Sequence, residues 1–152
     1  MNKTKFYQEL QAQVVALIAD EQDIIANMAN VSALLFDTLE FVNWVGFYRV
    51  IDEQLVLGPF QGKVACIRIP LGKGVCGTAA KTGITHCIAD VHQFSGHIAC
   101  DAASNSEIVV PVKVDGKVVA VLDIDSMNFD RFDDQDQLGI ETIVKHLEAC
   151  MV

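Results

Sequence analysis

Cys100 is the residue around which the chemistry of this chain is best considered. It lies in a stretch of small and hydrogen-bonding residues, 96–101, that is followed by Glu107 and the apolar run 108–112. A cysteine on a loop, with carboxylates nearby and a β-branched strand next to it, has the composition of a reactive thiol site at a sheet edge. The alternative is a structural cysteine, because free cysteines are among the most buried residues in proteins. The surrounding residues have to decide between the two interpretations.

Other cysteines could take part in the same chemistry. Cys76 is predicted at the N-terminus of a short helix, where free backbone N–H groups favour a thiolate, so it competes with Cys100 as nucleophile. Cys66, on a predicted strand just before, could be brought near either of them, as disulfide formation requires. We expect Cys87 to pack on a strand and Cys150 to lie at the end of a helix. The chain has five cysteines, an odd number, and is large enough to fold without disulfide cross-links, so free thiols are favoured over a disulfide framework.

Two carboxylates alternate with apolar residues near the end of a predicted strand. Asp123 and Asp125 therefore point to the same face, which Val119 and Val121 are expected to share. A solvated outer face is one interpretation, and a partly apolar pocket that ends in carboxylates is the other. Burial side by side would raise the pKa of at least one carboxyl, which could then donate a proton near neutral pH.

An aromatic pair lies on an earlier predicted strand. Trp44 and Tyr48 share a strand face, with Gly46 between them. Core packing explains such a pair, but a glycine flanked by aromatic rings could also leave a slot for a small ligand.

Two motifs that could bind a cofactor or a metal are weak. The glycines at 72, 74 and 77 match the dinucleotide fingerprint, but their strand lies among hairpins and not in successive βαβ units, so a tight turn into a helix explains them. A histidine- and cysteine-rich region lacks the usual zinc spacings, and it comprises His86, Cys87, His92, His97 and Cys100. We therefore expect neither a cofactor nor a metal.

Composition limits the class of protein. The chain has 152 residues, 51% of them hydrophobic, which fits a single domain over residues 1–152. A formal net charge of −9 argues against nucleic acid or an anionic membrane as partner and favours a small solute. The N-terminal residues carry no continuous apolar segment, and no stretch approaches the ~20 apolar residues of a membrane helix. We expect a soluble, cytoplasmic protein.

Hydrophobic periodicity predicts an α+β domain. Helices are predicted at residues 3–19, 23–40, 75–81 and 133–150, and strands at 44–51, 54–57, 66–70, 84–89, 108–114 and 117–125. Asp133 or Asp134 would cap the last helix. The expected architecture is a central antiparallel sheet with the N- and C-terminal helices on one face. The long loop 90–105 would cover a pocket on the other face.

The motifs together resemble one known family. Residues 74–80 (Gly-Val-Cys-Gly-Thr-Ala-Ala), 90–91 (Asp-Val), 96–101 (Gly-His-Ile-Ala-Cys-Asp), 106–111 (Ser-Glu-Ile-Val-Val-Pro) and 122–126 (Leu-Asp-Ile-Asp-Ser) closely resemble the free methionine-(R)-sulfoxide reductases, which are built on a single GAF domain. The resemblance covers essentially the whole chain. It implies a GAF-like fold, reduction of free methionine (R)-sulfoxide, thioredoxin as reductant, and a homodimer.

The resemblance also implies roles for individual residues. Cys100 would be the nucleophile, Cys66 the principal resolving cysteine, and Cys76 a third thiol able to take part in exchange. The matching pocket residues are the carboxylates Glu107, Asp123 and Asp125 and the aromatic wall of Trp44 and Tyr48. There are two alternatives from other functional classes. One is a GAF sensor that binds a small ligand without turnover, and the other is a thiol redox sensor.

The hairpin that carries the carboxylates leads to a structural prediction. An ideal two-residue turn at Asp115-Gly116 would pair Glu107 with Ile124, which places Glu107 on the opposite face from Asp123. If all the carboxylates line one pocket, the hairpin must contain a bulge or its first strand must begin after Glu107.

Overall fold

A computed structural model of the protein describes residues 2–96 and 103–151, so that Cys100 lies outside the described residues. The helices are α1 (Lys3–Ile18), α2 (Ile24–Thr38), α3 (Gly74–Thr82) and α4 (Asp134–Ala149), with a short 3-10 turn at Val91–Gln93. The strands are β1 (Val42–Ile51), β2 (Gln54–Gly62), β3 (Arg68–Pro70), β4 (His86–Ile88), β5 (Ser106–Val114) and β6 (Lys117–Ser126). They form one sheet in the order β3-β2-β1-β6-β5-β4, and each neighbouring pair is antiparallel.

The two faces of the sheet carry different cores, as the α+β prediction requires. On one face α2 and α4 pack against the sheet, where inward residues include Phe47, Val110 and Leu122, and α1 packs against these two helices. On the other face a smaller core contains Trp44, Tyr48 and the residues of α3 that pack on the sheet. Alternation along each strand separates the two sets. The expected arrangement, with the terminal helices on one face and a pocket on the other, is confirmed.

The β5–β6 hairpin contains the predicted bulge. Lys113 pairs with Val118, but Val112 pairs with Ala120, which leaves Val119 as an extra residue on β6. Beyond the bulge, Glu107 lies opposite Asp125, so the carboxylates of both strands reach one face. The prediction that Val119 shares that face is wrong, because the bulge reverses the alternation and Val119 packs against the helix-side core.

A buried carboxylate ties the two ends of the chain together. Asp133 and Asp136 form a capping box at the start of α4, which decides between the two predicted caps. Asp136 is 1% exposed and accepts hydrogen bonds from Lys3 Nζ at 2.7 Å, the Tyr7 hydroxyl at 2.7 Å and Arg131 Nη1 at 3.3 Å. These contacts fix α1 against α4 and so support the helix layer behind the sheet.

Two strand predictions need correction. β2 runs to Gly62, well past the predicted residues 54–57, because it pairs with β1 along nearly its whole length. Cys66 does not lie on a strand, since β3 begins only at Arg68. The carbonyl oxygen of Cys66 accepts a hydrogen bond from the Tyr48 hydroxyl, so a side chain takes the place of a strand partner. Within residues 2–96 and 103–151, no helix is long and apolar enough to cross a membrane.

Candidate active site

A pocket lies on the sheet face opposite the helix layer, beside the N-terminus of α3. Its empty space is about 580 Å³, including the part that is open to solvent. The sequence-predicted residues that line it are Trp44 and Tyr48 from β1, Cys76 from α3, Glu107 from β5, and Asp123 and Asp125 from β6. The fold therefore brings together six of the predicted site residues from four separate elements. Cys66 lies in the adjoining loop, and Cys100 falls outside the described residues.

The carboxylates at the floor of the pocket are buried. Glu107 is 7% exposed and Asp123 is 5% exposed. Burial raises the pKa of Glu107 well above its ordinary value, and the negative charge of Asp123 adds to the effect. Burial likewise raises the pKa of Asp123, with Asp125 as the next cause. Such carboxyls keep their protons to higher pH than exposed ones, so the floor of the pocket can supply a proton.

One oxygen of this group has no partner among the described residues. Asp123 Oδ1 is buried and accepts no hydrogen bond there. A buried oxygen without a partner costs about 1–3 kcal/mol, more when the group is charged. A ligand that donates a proton or carries positive charge would remove that cost.

The thiol of Cys76 does not fit the prediction of an activated thiolate. Cys76 is buried, and its Sγ lies 3.9 Å from Glu107 Oε2. Burial first, and then the charges of Asp123 and Glu107, raise the pKa of this thiol well above its ordinary value. A helix N-terminus contributes only about 0.3–1 kcal/mol in favour of an anion. The surrounding carboxylates and the loss of solvent outweigh it, so this thiol stays protonated.

The aromatic wall is more closely packed than the sequence suggested. The rings of Trp44 and Tyr48 are stacked with centroids 5.9 Å apart, and Phe60 stacks on Trp44 at 5.2 Å. A Cβ atom added to Gly46 would lie 2.3 Å from the Cβ of Phe60. The predicted slot above Gly46 is therefore filled by Phe60, which pairs with Gly46 across β1 and β2. The ligand space lies in front of the rings and not between them.

The same aromatic residues hold the loop that carries Cys66. Trp44 Nε1 donates a hydrogen bond to the carbonyl of Lys63 at 3.1 Å, and the Tyr48 hydroxyl donates to the carbonyl of Cys66 at 2.9 Å. Cys66 is disulfide-bonded. The free thiols among the described residues are Cys76, Cys87 and Cys150. The wall of the pocket thus positions one partner of a disulfide beside the ligand space.

The remaining cysteines lie away from the pocket lining. Cys87 was expected to pack on a strand, but it is exposed. The reason is that β4 lies at the edge of the sheet. The Cys87 Sγ donates to the carbonyl of Phe132 at 3.4 Å. Cys150 caps the C-terminus of α4 and packs against the helix-side core, in accord with its expected place at a helix end.

Some lining residues were missed by sequence reasoning. Val64 and Ala65 line the pocket from the loop before β3, Lys73 from the N-cap of α3, and Ser104 from the loop before β5. The lysine carried a signal, since it stands between two glycines at a turn into a helix. The others are common residue types in loops, and only the fold brings them to the pocket.

The glycines of residues 72–77 serve backbone geometry. Gly72 and Gly74 have positive φ angles of 85° and 64°. A Cβ on Gly77 would lie 2.5 Å from the carbonyl oxygen of Pro70. The turn and the close approach of α3 to β3 account for all three glycines.

The donors that could hold a metal differ from those considered in the sequence. Among the described residues, Cys76, Glu107 and Asp123 each place one ligand atom within 4.8 Å of the others. The histidine-rich region forms no such group with its described members. The ring of His86 contacts the side chain of Thr82, and the ring of His92 contacts the side chain of Asn105.

The chain is similar to known proteins over nearly its whole length. The profile of a family described as GAF domain matches residues 18–151. The chain is 55% identical, over 99% of its own length and 92% of the relative's, to the free methionine-R-sulfoxide reductase of Escherichia coli. A solved structure of fRMsr of Staphylococcus aureus in complex with substrate has a TM-score of 0.93 at 54% identity, covering 96% of this chain and 95% of that one.

A second solved structure agrees with these matches. The free methionine-R-sulfoxide reductase of Neisseria meningitidis, in complex with its substrate, has a TM-score of 0.96 at 44% identity, covering 99% of this chain and 91% of that one. The Escherichia coli and Neisseria meningitidis matches both cover 99% of this chain, which includes the cores and the pocket. The chain belongs to the GAF-domain family, among its free methionine-(R)-sulfoxide reductases.

Proposed function

We propose that this protein reduces free methionine (R)-sulfoxide to methionine with electrons from its own thiols. The observation that carries the proposal is a small pocket floored by buried carboxyls of raised pKa, with a disulfide-bonded cysteine in the loop beside it. A sulfoxide is a poor electrophile until its oxygen is protonated or hydrogen-bonded, so thiol attack needs an acid beside it. Relatives of this chain with that activity in their names support the proposal.

Cys100 is the proposed nucleophile. Its thiolate attacks the sulfoxide sulfur while a carboxyl delivers one proton to the oxygen. The bond between the sulfoxide sulfur and its oxygen breaks, and the oxygen is transferred to the Cys100 sulfur, which becomes a sulfenic acid. Methionine is released with its sulfur reduced by two electrons. Cys76 is a poorer nucleophile, because its buried thiol keeps its proton beside Glu107. Its part is that of a third thiol, able to take part in later exchange.

Cys66 is the proposed resolving cysteine. Its thiolate attacks the sulfenic sulfur of Cys100, a disulfide forms, and the hydroxyl leaves as water with one proton. The disulfide state of Cys66, together with the free thiols of Cys76, Cys87 and Cys150, supports this pairing.

The three pocket carboxylates are assigned to proton delivery and to binding of the substrate's ammonium group. We assign proton delivery to Glu107, because it is buried and keeps its proton to a raised pH. Asp123 and Asp125 are assigned to the ammonium group of the substrate, since Asp123 Oδ1 has no hydrogen-bond partner among residues 2–96 and 103–151 and an ammonium can donate to it. Trp44 and Tyr48 would border the apolar part of the substrate.

Thioredoxin is the proposed external reductant. The loop that carries Cys66 exposes two apolar side chains, Val64 at 88% and Ile67 at 66%. A dithiol protein that attacks the disulfide has to lie against this loop, and exposed apolar side chains beside the sulfur offer it contact area.

We further propose that the chain acts as a single GAF-like domain over residues 1–152, in the cytoplasm and as a homodimer. Free thiols at Cys76, Cys87 and Cys150 suit a reducing compartment. The homodimer follows from the family resemblance, and light scattering on the purified protein tests it.

Methionine release from racemic free methionine sulfoxide, with excess dithiol, tests the function. Turnover that stops near half of the racemate and is lost in Cys100→Ser is the expected result. Cys87→Ser serves as the matched control, because this exposed thiol lies outside the pocket lining. Absence of turnover by the reduced wild type would refute the proposal and favour a sensor. Full turnover by Cys100→Ser would transfer the nucleophile's role to another cysteine.

A further inference from the structure

Three donors at the pocket floor, each with a separate role in the proposed reduction, also lie close enough together to bind a single ion. One sulfur and two carboxyl groups, from Cys76, Glu107 and Asp123, come from α3, β5 and β6. All of them are buried, and their ligand atoms lie within 4.8 Å of one another. They border a pocket that opens to solvent, so a small ion can reach them.

The separations suit a tetrahedral metal ion. Zinc bonds of about 2.3 Å to sulfur and 2.0 Å to oxygen place the two donors roughly 3.5 Å apart at a tetrahedral angle. The distance from Cys76 Sγ to Glu107 Oε2 is 3.9 Å, so a small side-chain shift closes the difference. The buried Asp123 Oδ1, which has no hydrogen-bond partner among the described residues, is available as the third ligand atom.

We propose that Cys76, Glu107 and Asp123 form a zinc-binding site at the floor of the substrate pocket. One thiolate and two carboxylates bring three negative charges to a divalent cation, and the fourth position faces the pocket and takes water. A set with one sulfur and three protein ligands selects zinc over magnesium or calcium, which prefer six or more oxygen ligands. Binding displaces the protons that these groups hold and changes no oxidation state.

The site has a consequence for the protein's chemistry. A zinc ion there occupies the carboxylates that the substrate needs and blocks the pocket floor. The metal is therefore an inhibitor, and methionine sulfoxide and zinc exclude each other. Binding itself does not rest on the proposed reduction, because it requires only the three side chains.

Metal titration of the full-length oxidised protein tests the inference. In that form Cys66 stays in its disulfide and does not compete as a ligand. Zinc binding is followed with a chromophoric zinc indicator, and cobalt(II) serves as a probe that shows a thiolate-to-metal charge-transfer band. We expect a single equivalent of metal, with its affinity lowered more than about tenfold in Cys76→Ser, since losing even an outer-shell partner costs that much.

Two comparisons keep the test decisive. Cys87→Ser should keep both the zinc affinity and the charge-transfer band, because Cys87 lies outside the pocket lining. Glu107→Gln should weaken binding even if Cys76→Ser folds poorly. Equal binding by the wild type and both pocket variants, or no binding by the wild type, would overturn the site. Loss of zinc on addition of methionine sulfoxide would support the shared pocket, and its retention would refute the exclusion.

Discussion

Tyr48→Phe should slow the formation of the disulfide without slowing the release of methionine. The Tyr48 hydroxyl donates a hydrogen bond of 2.9 Å to the carbonyl of Cys66 in the form in which Cys66 is disulfide-bonded. The substitution removes this bond and leaves the ring, so the stacking on Trp44, with centroids 5.9 Å apart, is retained. The change therefore acts on the loop that carries Cys66 and not on the shape of the aromatic wall.

The expected magnitude follows from the loss of one hydrogen bond. A neutral hydrogen bond contributes about 1 kcal/mol net, which corresponds to roughly a fivefold change in an equilibrium constant. In the variant, the fraction of time that the loop holds Cys66 in the disulfide-forming position would fall by roughly the same factor. We expect disulfide formation about fivefold slower and an unchanged rate of sulfoxide reduction, since the aromatic rings that border the pocket stay in place.

Single-turnover rapid-quench experiments separate the two steps. Reduced enzyme in excess over methionine sulfoxide is quenched at intervals, and methionine and remaining thiols are measured in each sample. Tyr7→Phe is the matched control. Tyr7 is also a buried tyrosine, and its hydroxyl donates to Asp136 at 2.7 Å on the far side of the sheet.

The control should lose stability and keep both rates. Thiol loss at the wild-type rate in Tyr48→Phe would refute the role assigned to this hydrogen bond. Equal slowing in Tyr7→Phe would attribute the effect to general loosening of the fold.

Other predictions follow from the same contacts. Glu107→Gln should raise the melting temperature increasingly as pH rises above the ordinary carboxyl pKa of 4.5 while lowering activity. The pKa of Glu107 is raised in the folded protein. The protonated carboxyl therefore stabilises the fold at low pH, and this contribution is lost as pH rises through the folded-state pKa. An unchanged difference from pH 4 to 8 would contradict this. Gly139→Ala should destabilise by about 1–3 kcal/mol in urea titrations, although helix propensity alone predicts a gain of about 1 kcal/mol. The added Cβ would lie 2.3 Å from the Tyr7 ring, and a stabilised variant would show that the ring moves freely. Ile67→Asp should raise KM for thioredoxin but not for a small dithiol, and equal effects on both would argue against docking at this loop.

Local sequence patterns predicted the elements well wherever the physics is local. Apolar periodicity located all four helices of the described residues to within a few positions, and the Asp-Gly turn located the β5–β6 hairpin. The end of β2 was misjudged, since its last residues are ordered by pairing with β1 and not by their own propensities.

The bulge shows how far register reasoning reaches. Counting from the turn showed that an ideal hairpin would separate Glu107 from Asp123, so a bulge followed from requiring one pocket. Its position could not be predicted, because the choice of Val119 depends on packing against the helix-side core. The side of the sheet that Val119 faces was accordingly misassigned.

The sequence by itself determined the chemical inventory: the thiols, the carboxylates, the aromatic pair, and the family whose motifs they match. Only the tertiary structure decided how each group behaves. Cys76, at a helix N-terminus, was expected to ionise, but burial beside Glu107 and Asp123 keeps its proton in place. The physical reason is that ionisation, hydrogen bonding and ligand space depend on neighbours distant in the chain, whereas helix periodicity and turn chemistry depend on neighbours within a few residues.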